Sequence, residues 1–281
     1  MTKMTDNMIQ KLLTADSGST KTDWVVGNLH LKTQGINPIH QTDDTIRTIL
    51  RDELLPQLAA DVQVQTIAFY GSGVRPDQEA KMVRLLRECF PHADAIEAHS
   101  DLLGAARALC GDSEGIACIL GTGANSCLYD GQRIVLNTPA LGYILGDEGS
   151  GAVLGVRFVN ALYKGRLGTA LVDEFEAAQQ MRLSDVIDRV YRQPMANRWL
   201  ASLAPFVHAH LSVQGVSAIV TGNFRDFIRR NIVPYRRPDL PIRAVGSIAY
   251  FFRPQLEQAA RAEGYAVGRV MRSPLEGTVQ T

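Results

Sequence analysis

Two short segments rich in glycine, serine and threonine are the first features of this sequence that could support chemistry. One covers residues 16–22 and the other covers residues 121–126. Each directly follows an apolar run with the composition of a β-strand. A polyphosphate needs several converging backbone N–H groups, and small residues let the backbone approach it closely. Both segments therefore suit phosphate binding, and each one alone fits an ordinary hairpin turn equally well.

The two loops offer different groups to a phosphate. In the first, hydroxyl groups add donors, Lys21 adds a positive charge, and Asp16 could hold Mg²⁺ through water molecules. The candidate residues of this loop are Asp16, Ser17, Gly18, Ser19, Thr20, Lys21 and Thr22. The second loop offers Gly121, Thr122 and Gly123. The spacing of a Walker A loop is absent, so a P-loop is not predicted. A single polyphosphate bound by both loops would explain the pair.

Asp101 is the candidate for acid–base chemistry. It follows a short predicted strand at residues 95–98 and opens an Ala/Leu-rich helix. A carboxylate in this position is a natural helix cap. It could equally act as a general base that takes the proton from an attacking hydroxyl group during phosphoryl transfer. The sequence leaves both roles open.

Three further turns carry polar residues that could contact a ligand. Asp147 lies between glycines ahead of a helix, where it could cap the helix or accept hydrogen bonds from substrate hydroxyl groups. Gly246 and Ser247 follow a predicted strand and open a helix, and open α/β sheets bind ligands at such strand ends. Asn37 lies in a Gly-Ile-Asn-Pro turn and could face a substrate. Each is also explained by an ordinary turn.

The elements that must position these residues form a repeated pattern. A strand, a glycine-rich loop and a second strand occur near residue 12 and again near residue 116. Apolar residues recur with helical spacing from Asp43 onward, where Thr42 or Asp43 could cap the helix, and again at residues 77–89 and 216–232. Strands at 66–70, 95–98 and 242–245 alternate with these helices, which predicts an α/β fold. The repetition about a hundred residues apart favours two related half-molecules.

Length, composition and charge reduce the number of possible functions. The chain has 281 residues, of which 46% are hydrophobic, and a formal net charge of zero. This length favours two domains, and the neutral charge argues against a nucleic-acid partner. No apolar run reaches the length of a signal peptide or a membrane span, so we expect a cytoplasmic protein without a membrane partner. The four cysteines form no C-x-x-C pair, which favours free core thiols.

Taken in order, these motifs resemble those of the N-acetylglucosamine kinase family, within the group that also holds the BadF/BadG/BcrA/BcrD-type ATPases. The resemblance covers nearly the whole chain. It implies two ribonuclease H-like domains of the actin-like ATPase fold around a central cleft, at residues 1–112 and 113–281, with the last residues packing back on the first domain. It also implies ATP, Mg²⁺ and an amino sugar as ligands. A homodimer is one option for the oligomeric state.

The resemblance also assigns roles to individual residues. Thr20 and Thr122 correspond to nucleotide contacts in the two phosphate loops, and Asp101 corresponds to the catalytic base. Gly246 and Ser247 match the adenosine motif. The residues at positions where the family contacts its sugar are Asn37, Gly142, Tyr143 and Asp147.

The sequence departs from the family pattern in two places. The first loop has serines where the family commonly has three successive glycines, and serine is small enough to preserve phosphate binding. Residues 141–144 are Leu-Gly-Tyr-Ile, where the sugar kinases typically have Gly-Gly-Trp-Gly. Ile144 cannot mimic a glycine beside a ligand. The acceptor is therefore left open among N-acetylglucosamine, N-acetylmuramic acid, glucosamine and their relatives.

Two other functions are compatible with the nucleotide motifs. Some relatives hydrolyse ATP to drive an electron onto a partner reductase, but that role needs cysteine ligands for an iron–sulfur cluster. Here the Cys-Ala-Ala-Gly-Thr-Gly motif of those relatives is absent. A nucleotide-binding sensor without transfer activity is the third option, and it would have no use for a base at Asp101.

Overall fold

The computed structural model of the chain describes residues 12–18, 20–58 and 62–276. These residues form two units, which divide between Ala108 and Leu109. The segment from Pro274 onward belongs to the first unit. In this part of the chain, each unit holds a five-stranded mixed sheet with helices packed against it. The predicted α/β class is confirmed.

The sheet of the first unit begins with an antiparallel meander and continues with two parallel strands. Its strands are β1 (Leu12–Ser17), β2 (Lys21–Val26), β3 (Leu29–Gln34), β4 (Thr66–Gly71) and β5 (Ala95–Ser100). Their order is β3-β2-β1-β4-β5, with β4 and β5 parallel to β1. Alternate residues such as Leu13 and Phe69 are buried in one core, as expected for a sheet face covered by helices.

The helices of the first unit connect these strands. They are α1 (Asp43–Thr48), which continues as a π-helical segment (Ile49–Leu54) and a 3-10 turn (Leu55–Gln57), then α2 (Pro76–Cys89) and α3 (Asp101–Cys110). Thr42 caps α1, because its side chain accepts a hydrogen bond from the backbone N–H of Thr45, as the sequence predicted. Pro76 occupies the first turn of α2, where its missing N–H is tolerated.

The sheet of the second unit repeats the arrangement of the first. Its strands are β6 (Gly115–Leu120), β7 (Ala124–Tyr129), β8 (Ile134–Thr138), β9 (Ile242–Val245) and β10 (Val267–Met271). Their order is β10-β9-β6-β7-β8, with β9 parallel to β6 and β10 parallel to β9. Renumbered from its own first strand, this sheet has the same order as the first. The repetition inferred from the loops is therefore present in the topology.

The second unit carries a longer helical region between β8 and β9. Its helices are α4 (Gly142–Leu145), α5 (Gly151–Tyr163), α6 (Thr169–Gln179), α7 (Leu183–Tyr191), α8 (Ala196–Ser202), α9 (Ala204–Ala209), α10 (Gln214–Phe227), α11 (Ser247–Phe251) and α12 (Arg253–Ala262). A π-helical segment (Ile228–Ile232) and a 3-10 turn (Val233–Tyr235) extend α10. The predicted helix at residues 216–232 is confirmed, because Val220, Phe224 and Phe227 form a buried stripe despite Gly222.

Side chains from outside the sheet bind the backbone of the outer strand of each meander. In the first unit, Glu53 accepts a hydrogen bond from the backbone N–H of Gln34 (2.7 Å), and Gln57 donates to the carbonyl of Lys32 (2.8 Å). In the second unit, the hydroxyl of Tyr235 accepts from the N–H of Thr138 (3.0 Å). Both sets of capping groups come from the π-helical or 3-10 segment that precedes the fourth strand.

No helix among residues 12–18, 20–58 and 62–276 has the length and apolar character required to cross a membrane.

Candidate functional site

Asp16 and Asp101 line one cavity in the first unit. Asp16 is near the end of β1, and Asp101 is the first residue of α3, directly after β5. Since the two strands run in the same direction, their carboxyl ends lie at one edge of the sheet. The cavity has a volume of about 230 Å³ and is also lined by Thr14 and Tyr70. The structure thus brings together the predicted metal ligand and the predicted base.

The electrostatics of these two acids are unusual. Burial raises the pKa of Asp16 to about 7, and the negative charges of Asp101 and Asp23 add to the effect. Burial also raises the pKa of Asp101 to about 6, although its Oδ1 accepts a hydrogen bond from the N–H of Leu102 at 2.8 Å. A carboxylate with a pKa near the operating pH is well suited to accept and release a proton.

Helix α3 is held close to the sheet by a contact that the sequence analysis did not find. A Cβ at Gly104 would lie 2.6 Å from Cγ of Tyr70, so the helix backbone rests on the tyrosine ring. Arg107 donates a hydrogen bond to the Tyr70 hydroxyl at 2.8 Å. Gly104 follows Asp101 by three residues on the same helix face. These contacts fix the end of the helix that carries the candidate base.

Some residues of the first glycine-rich loop are buried and stabilise its shape, and others are exposed. The hydroxyl groups of Ser17 and Thr22 are buried and lie 2.7 Å apart, and Ser17 also accepts from the N–H of Ile36 at 2.9 Å. Gly18 closes the turn by donating to the carbonyl of Lys21 at 3.0 Å. Gly18 and Thr20 are exposed.

The positive charge of Lys21 in this loop is paired. The Lys21 ammonium group is paired with the carboxylate of Asp23 at 2.5 Å. Ser19, which the sequence analysis included among the phosphate contacts, lies outside the described residues.

Asn37 packs beside the turn that follows β4. Its Oδ1 accepts a hydrogen bond from the N–H of Ile39 at 3.0 Å. A Cβ at Gly73 would lie 2.3 Å from the same oxygen, so only glycine leaves room for the amide group. Because Gly71 pairs with Ser17, this turn lies at the same edge of the sheet as the first loop. Asn37 thus belongs to the edge that carries Asp16.

The second glycine-rich loop is fastened to the start of α5. Gly121 donates to the carbonyl of Gly123 at 3.0 Å, which makes the loop a tight turn. The N–H of Gly151 donates to the carbonyl of Gly121 at 2.8 Å, and that of Ala152 donates to the carbonyl of Thr122 at 3.2 Å. The first N–H groups of the helix, which have no partner within the helix, thus fix the loop.

Gly246 joins three strand ends in the second unit. It has a φ of +122°, and a Cβ there would lie 2.3 Å from the carbonyl oxygen of Leu120. Its own N–H donates to the carbonyl of Met271 at 3.0 Å. The ends of β6, β9 and β10 therefore meet at this residue, which only glycine can occupy without strain. Ser247 follows as the first residue of α11.

Asp147 connects the second loop to the segment predicted to contact a sugar. Its Oδ1 accepts a hydrogen bond from the N–H of Gly142 at 3.0 Å, and its Oδ2 would lie 3.1 Å from a Cβ at Gly123. Burial raises the pKa of Asp147, while the N–H groups of Gly142 and Ala124 oppose the increase. The structure therefore brings Asp147 and Gly142 together at the second loop. Tyr143 is partly buried in α4.

Asn223 is a second residue that sequence analysis missed. It is fully buried on α10, accepts from the N–H of Gly149 at 3.1 Å and donates to the carbonyl of Ser150 at 3.1 Å. Gly149 has a positive φ and packs on Phe227. Asn223 therefore fixes the turn that follows Asp147. The sequence feature that could have revealed Asn223 is a single amide side chain within the apolar stripe of a predicted helix.

The four cysteines are free thiols, and the predicted core location holds for all of them except Cys89, which is partly exposed. Cys110, Cys118 and Cys127 are buried, and burial raises the pKa of Cys127 to about 12 and that of Cys118 well above its ordinary value. Such thiols stay protonated and are poor metal ligands. No group of three or more His, Cys, Asp or Glu residues suited to a metal ion occurs in the described part of the chain.

Comparison with known proteins identifies the relatives of this chain. No family model and no curated protein matches it. A solved structure from Porphyromonas gingivalis, provisionally described as an N-acetylglucosamine kinase, is 45% identical over 96% of this chain and 97% of its own, with a TM-score of 0.93.

Two more distant structures support the fold. A second protein provisionally described as an N-acetylglucosamine kinase, from Chromobacterium violaceum, is 18% identical and has a TM-score of 0.63 over 95% of this chain and 97% of its own. A ROK family glucokinase from Streptomyces griseus, solved with glucose and AMPPNP, is 12% identical and has a TM-score of 0.55 over 95% and 96%. These likenesses agree with the predicted pair of ribonuclease H-like domains. With 45% identity to the Porphyromonas protein over nearly its full length, the chain belongs to the N-acetylglucosamine kinase family.

Proposed function

We propose that this protein transfers the γ-phosphoryl group of ATP to a hydroxyl group of an amino sugar, N-acetylglucosamine or a close relative. The observation that carries the proposal is the pair of desolvated carboxylates, Asp16 and Asp101, at one strand edge in a member of a sugar kinase family. Phosphoryl transfer needs a base for the acceptor and charge compensation for the phosphates. The two acids suit these two tasks.

Asp101 is the proposed general base. Its carboxylate takes the proton of the acceptor hydroxyl as that oxygen forms a bond to the γ-phosphorus, while the bond from phosphorus to the bridging oxygen breaks and ADP leaves. Support comes from its pKa of about 6, which leaves the group ionised at neutral pH and still basic enough to hold a proton. The Gly104–Tyr70 contact keeps the start of α3 in place.

Asp16 is the proposed magnesium ligand. Mg²⁺ prefers oxygen donors, keeps several water molecules and is commonly bound by one or two carboxylates together with substrate phosphates. Asp16 fits this chemistry, because it is a partly buried carboxylate beside a second acid, and a cation would offset the charge that raises its pKa. When bound, the ion supplies compensation for the negative charge of the phosphates.

The remaining contacts are assigned by family resemblance together with local geometry. Gly18, Thr20 and Lys21 are the outward residues of the first loop and would contact phosphate, with Ser17 and Thr22 shaping that loop. In the second unit, the loop of Gly121, Thr122 and Gly123 would contact phosphate, and Gly246 and Ser247 the adenosine. The acceptor contacts would be Asn37, Gly142, Tyr143 and Asp147.

A coupled ADP-release assay tests the proposal. Purified protein with Mg²⁺ and ATP should release ADP faster when N-acetylglucosamine, N-acetylmuramic acid or glucosamine is added, and mass spectrometry should detect a phosphorylated sugar. Neutral sugars such as glucose serve as the comparison set. If ADP is released at one rate whichever sugar is present, the protein is an ATPase or a nucleotide sensor and the kinase proposal is wrong.

A further inference from the structure

Arg272 occupies a distinctive place in the second unit. It directly follows β10, as Gly246 follows β9 and Gly121 follows β6. These three strands are adjacent and parallel, and Val245 pairs with both Ile119 and Met271. The three residues thus form a row along the edge of the sheet. Adjacent strands are spaced by roughly 4.8 Å, so Arg272 lies about 10 Å along this row from the second loop.

The Arg272 side chain lies over an aromatic ring at this edge. Its Cζ atom is 5.6 Å from the centre of the Phe251 ring, and both side chains are exposed, Phe251 by 46%. His208 contacts the same ring, with 6.1 Å between ring centres and an interplanar angle of 70°. The Phe251 ring is thus a platform for the guanidinium group through a cation–π contact.

The position of this platform relative to Gly246 points to its use. The N–H of Gly246 is bonded to the carbonyl of Met271, the residue before Arg272. The proposed adenosine motif and the platform are thus consecutive along the row. A nucleotide whose phosphates lie at the Gly121 loop would pass its ribose over Gly246 and reach Arg272 with its base.

We propose that Arg272, placed over the Phe251 ring, is the nucleobase contact of this protein. The guanidinium group is planar and weakly hydrated, which favours stacking on an aromatic base. Every base offers a π face, so such a contact supplies affinity without hydrogen-bond selection. The inference rests on the proposed use of ATP and adds a recognition residue that neither the motifs nor the resemblance assigned.

Binding measurements on the full chain test this assignment. We would measure dissociation constants for ATP and for inorganic tripolyphosphate, which lacks the base, by isothermal titration calorimetry. Arg272→Met should weaken ATP binding about tenfold and change tripolyphosphate binding less than twofold. Phe251→Leu removes the platform and should weaken ATP binding about threefold. Arg192→Met, which changes an exposed arginine directly after α7, should change neither constant.

Three results would overturn the assignment. The first is unchanged ATP affinity in Arg272→Met. The second is an equal loss for ATP and tripolyphosphate, which would make Arg272 a phosphate contact. The third is full ATP affinity in Arg272→Lys, which keeps the charge without the planar face and would exclude stacking. This variant replaces Arg272→Met if that protein does not fold. Failure of the wild-type protein to bind ATP at all would instead reject the proposed function.

Discussion

The two units use one strand order with different residues at the strand ends. In the first, Asp16 is the last residue but one of the first strand and Asp101 follows the fifth. At the matching places of the second, Ile119 is the last residue but one of the first strand and Arg272 follows the fifth. One half therefore presents two acids at these places, and the other presents an apolar residue and a cation. The two sheets share a strand order and differ at the strand ends, which is where α/β sheets commonly place ligands.

Substitution of Asp101 in the first unit gives the largest expected effect on activity. Asp101→Asn keeps the shape of the side chain and removes its basicity, so kcat should fall by about two to four orders of magnitude while ATP affinity stays near that of wild type. Steady-state kinetics and calorimetry measure the two quantities.

A matched variant at the opposite end of β5 serves as its control. Asp94→Asn changes an exposed aspartate just before the other end of β5 and should leave kcat unchanged. Near wild-type turnover in Asp101→Asn would remove this residue from the reaction.

A strand-end glycine of the second unit gives the next effect. Gly246→Ala would place a Cβ 2.3 Å from the carbonyl of Leu120 at a φ of +122°, so we expect about 3 kcal/mol of destabilisation. Gly264→Ala also has a positive φ but open space around its Cβ, and should cost about 1 kcal/mol. Thermal unfolding compares them, and equal losses would show that close packing at Gly246 is unimportant.

Asn223 tests how the second unit supports the turn that follows Asp147. Asn223→Ala leaves the N–H of Gly149 and the carbonyl of Ser150 buried without their side-chain partner, so the free energy of unfolding should drop by about 2 kcal/mol. Asn160→Ala, an exposed asparagine on α5, should change it by less than about 0.5 kcal/mol. Urea unfolding gives both values. Similar small effects in the two variants would contradict the bracing role.

The smallest effect is a dependence of stability on pH. Burial raises the pKa of Asp16 in the native state to about 7, above its value in the unfolded chain. At pH values between these two pKa values, the native state binds more protons than the unfolded state, so stability falls as the pH rises. Asp16→Asn removes this penalty and should stabilise the protein by about 1 kcal/mol or more at pH 8, with little change at pH 4.

The same substitution in the second unit provides the comparison. Asp147→Asn should give a smaller gain at pH 8, because the N–H groups of Gly142 and Ala124 already favour the ionised carboxylate. Melting temperatures of both variants at pH 4 and pH 8 measure the difference. A gain for Asp16→Asn that is equally large at both pH values would refute the burial argument.

The parts of this fold that follow from local chemistry could be predicted from the sequence. Strand alternation, the helical period of residues 216–232 and the cap at Thr42 depend on near neighbours, and the structure has them where they were expected. The glycine-rich loops were recognised for the same reason, because a tight turn needs residues of particular types at fixed spacing.

The contacts that complete the candidate site could not be predicted in the same way. Gly104 meets Tyr70 across 34 residues of chain, and Asn223 reaches Gly149 across 74 residues. Neither partner has a composition that distinguishes it from an ordinary core residue. Likewise, Asp147 was expected to face a substrate, and its bond to Gly142 depends on a positive φ that sequence alone does not reveal.

The capped edge of the first meander has a consequence for how this protein behaves in a crowded solution. An open strand edge offers unpaired N–H and C=O groups to any passing chain and can start aggregation. Glu53 and Gln57 occupy such groups on β3. The protection of this edge comes from the π-helical segment and the 3-10 turn that lie just before the fourth strand.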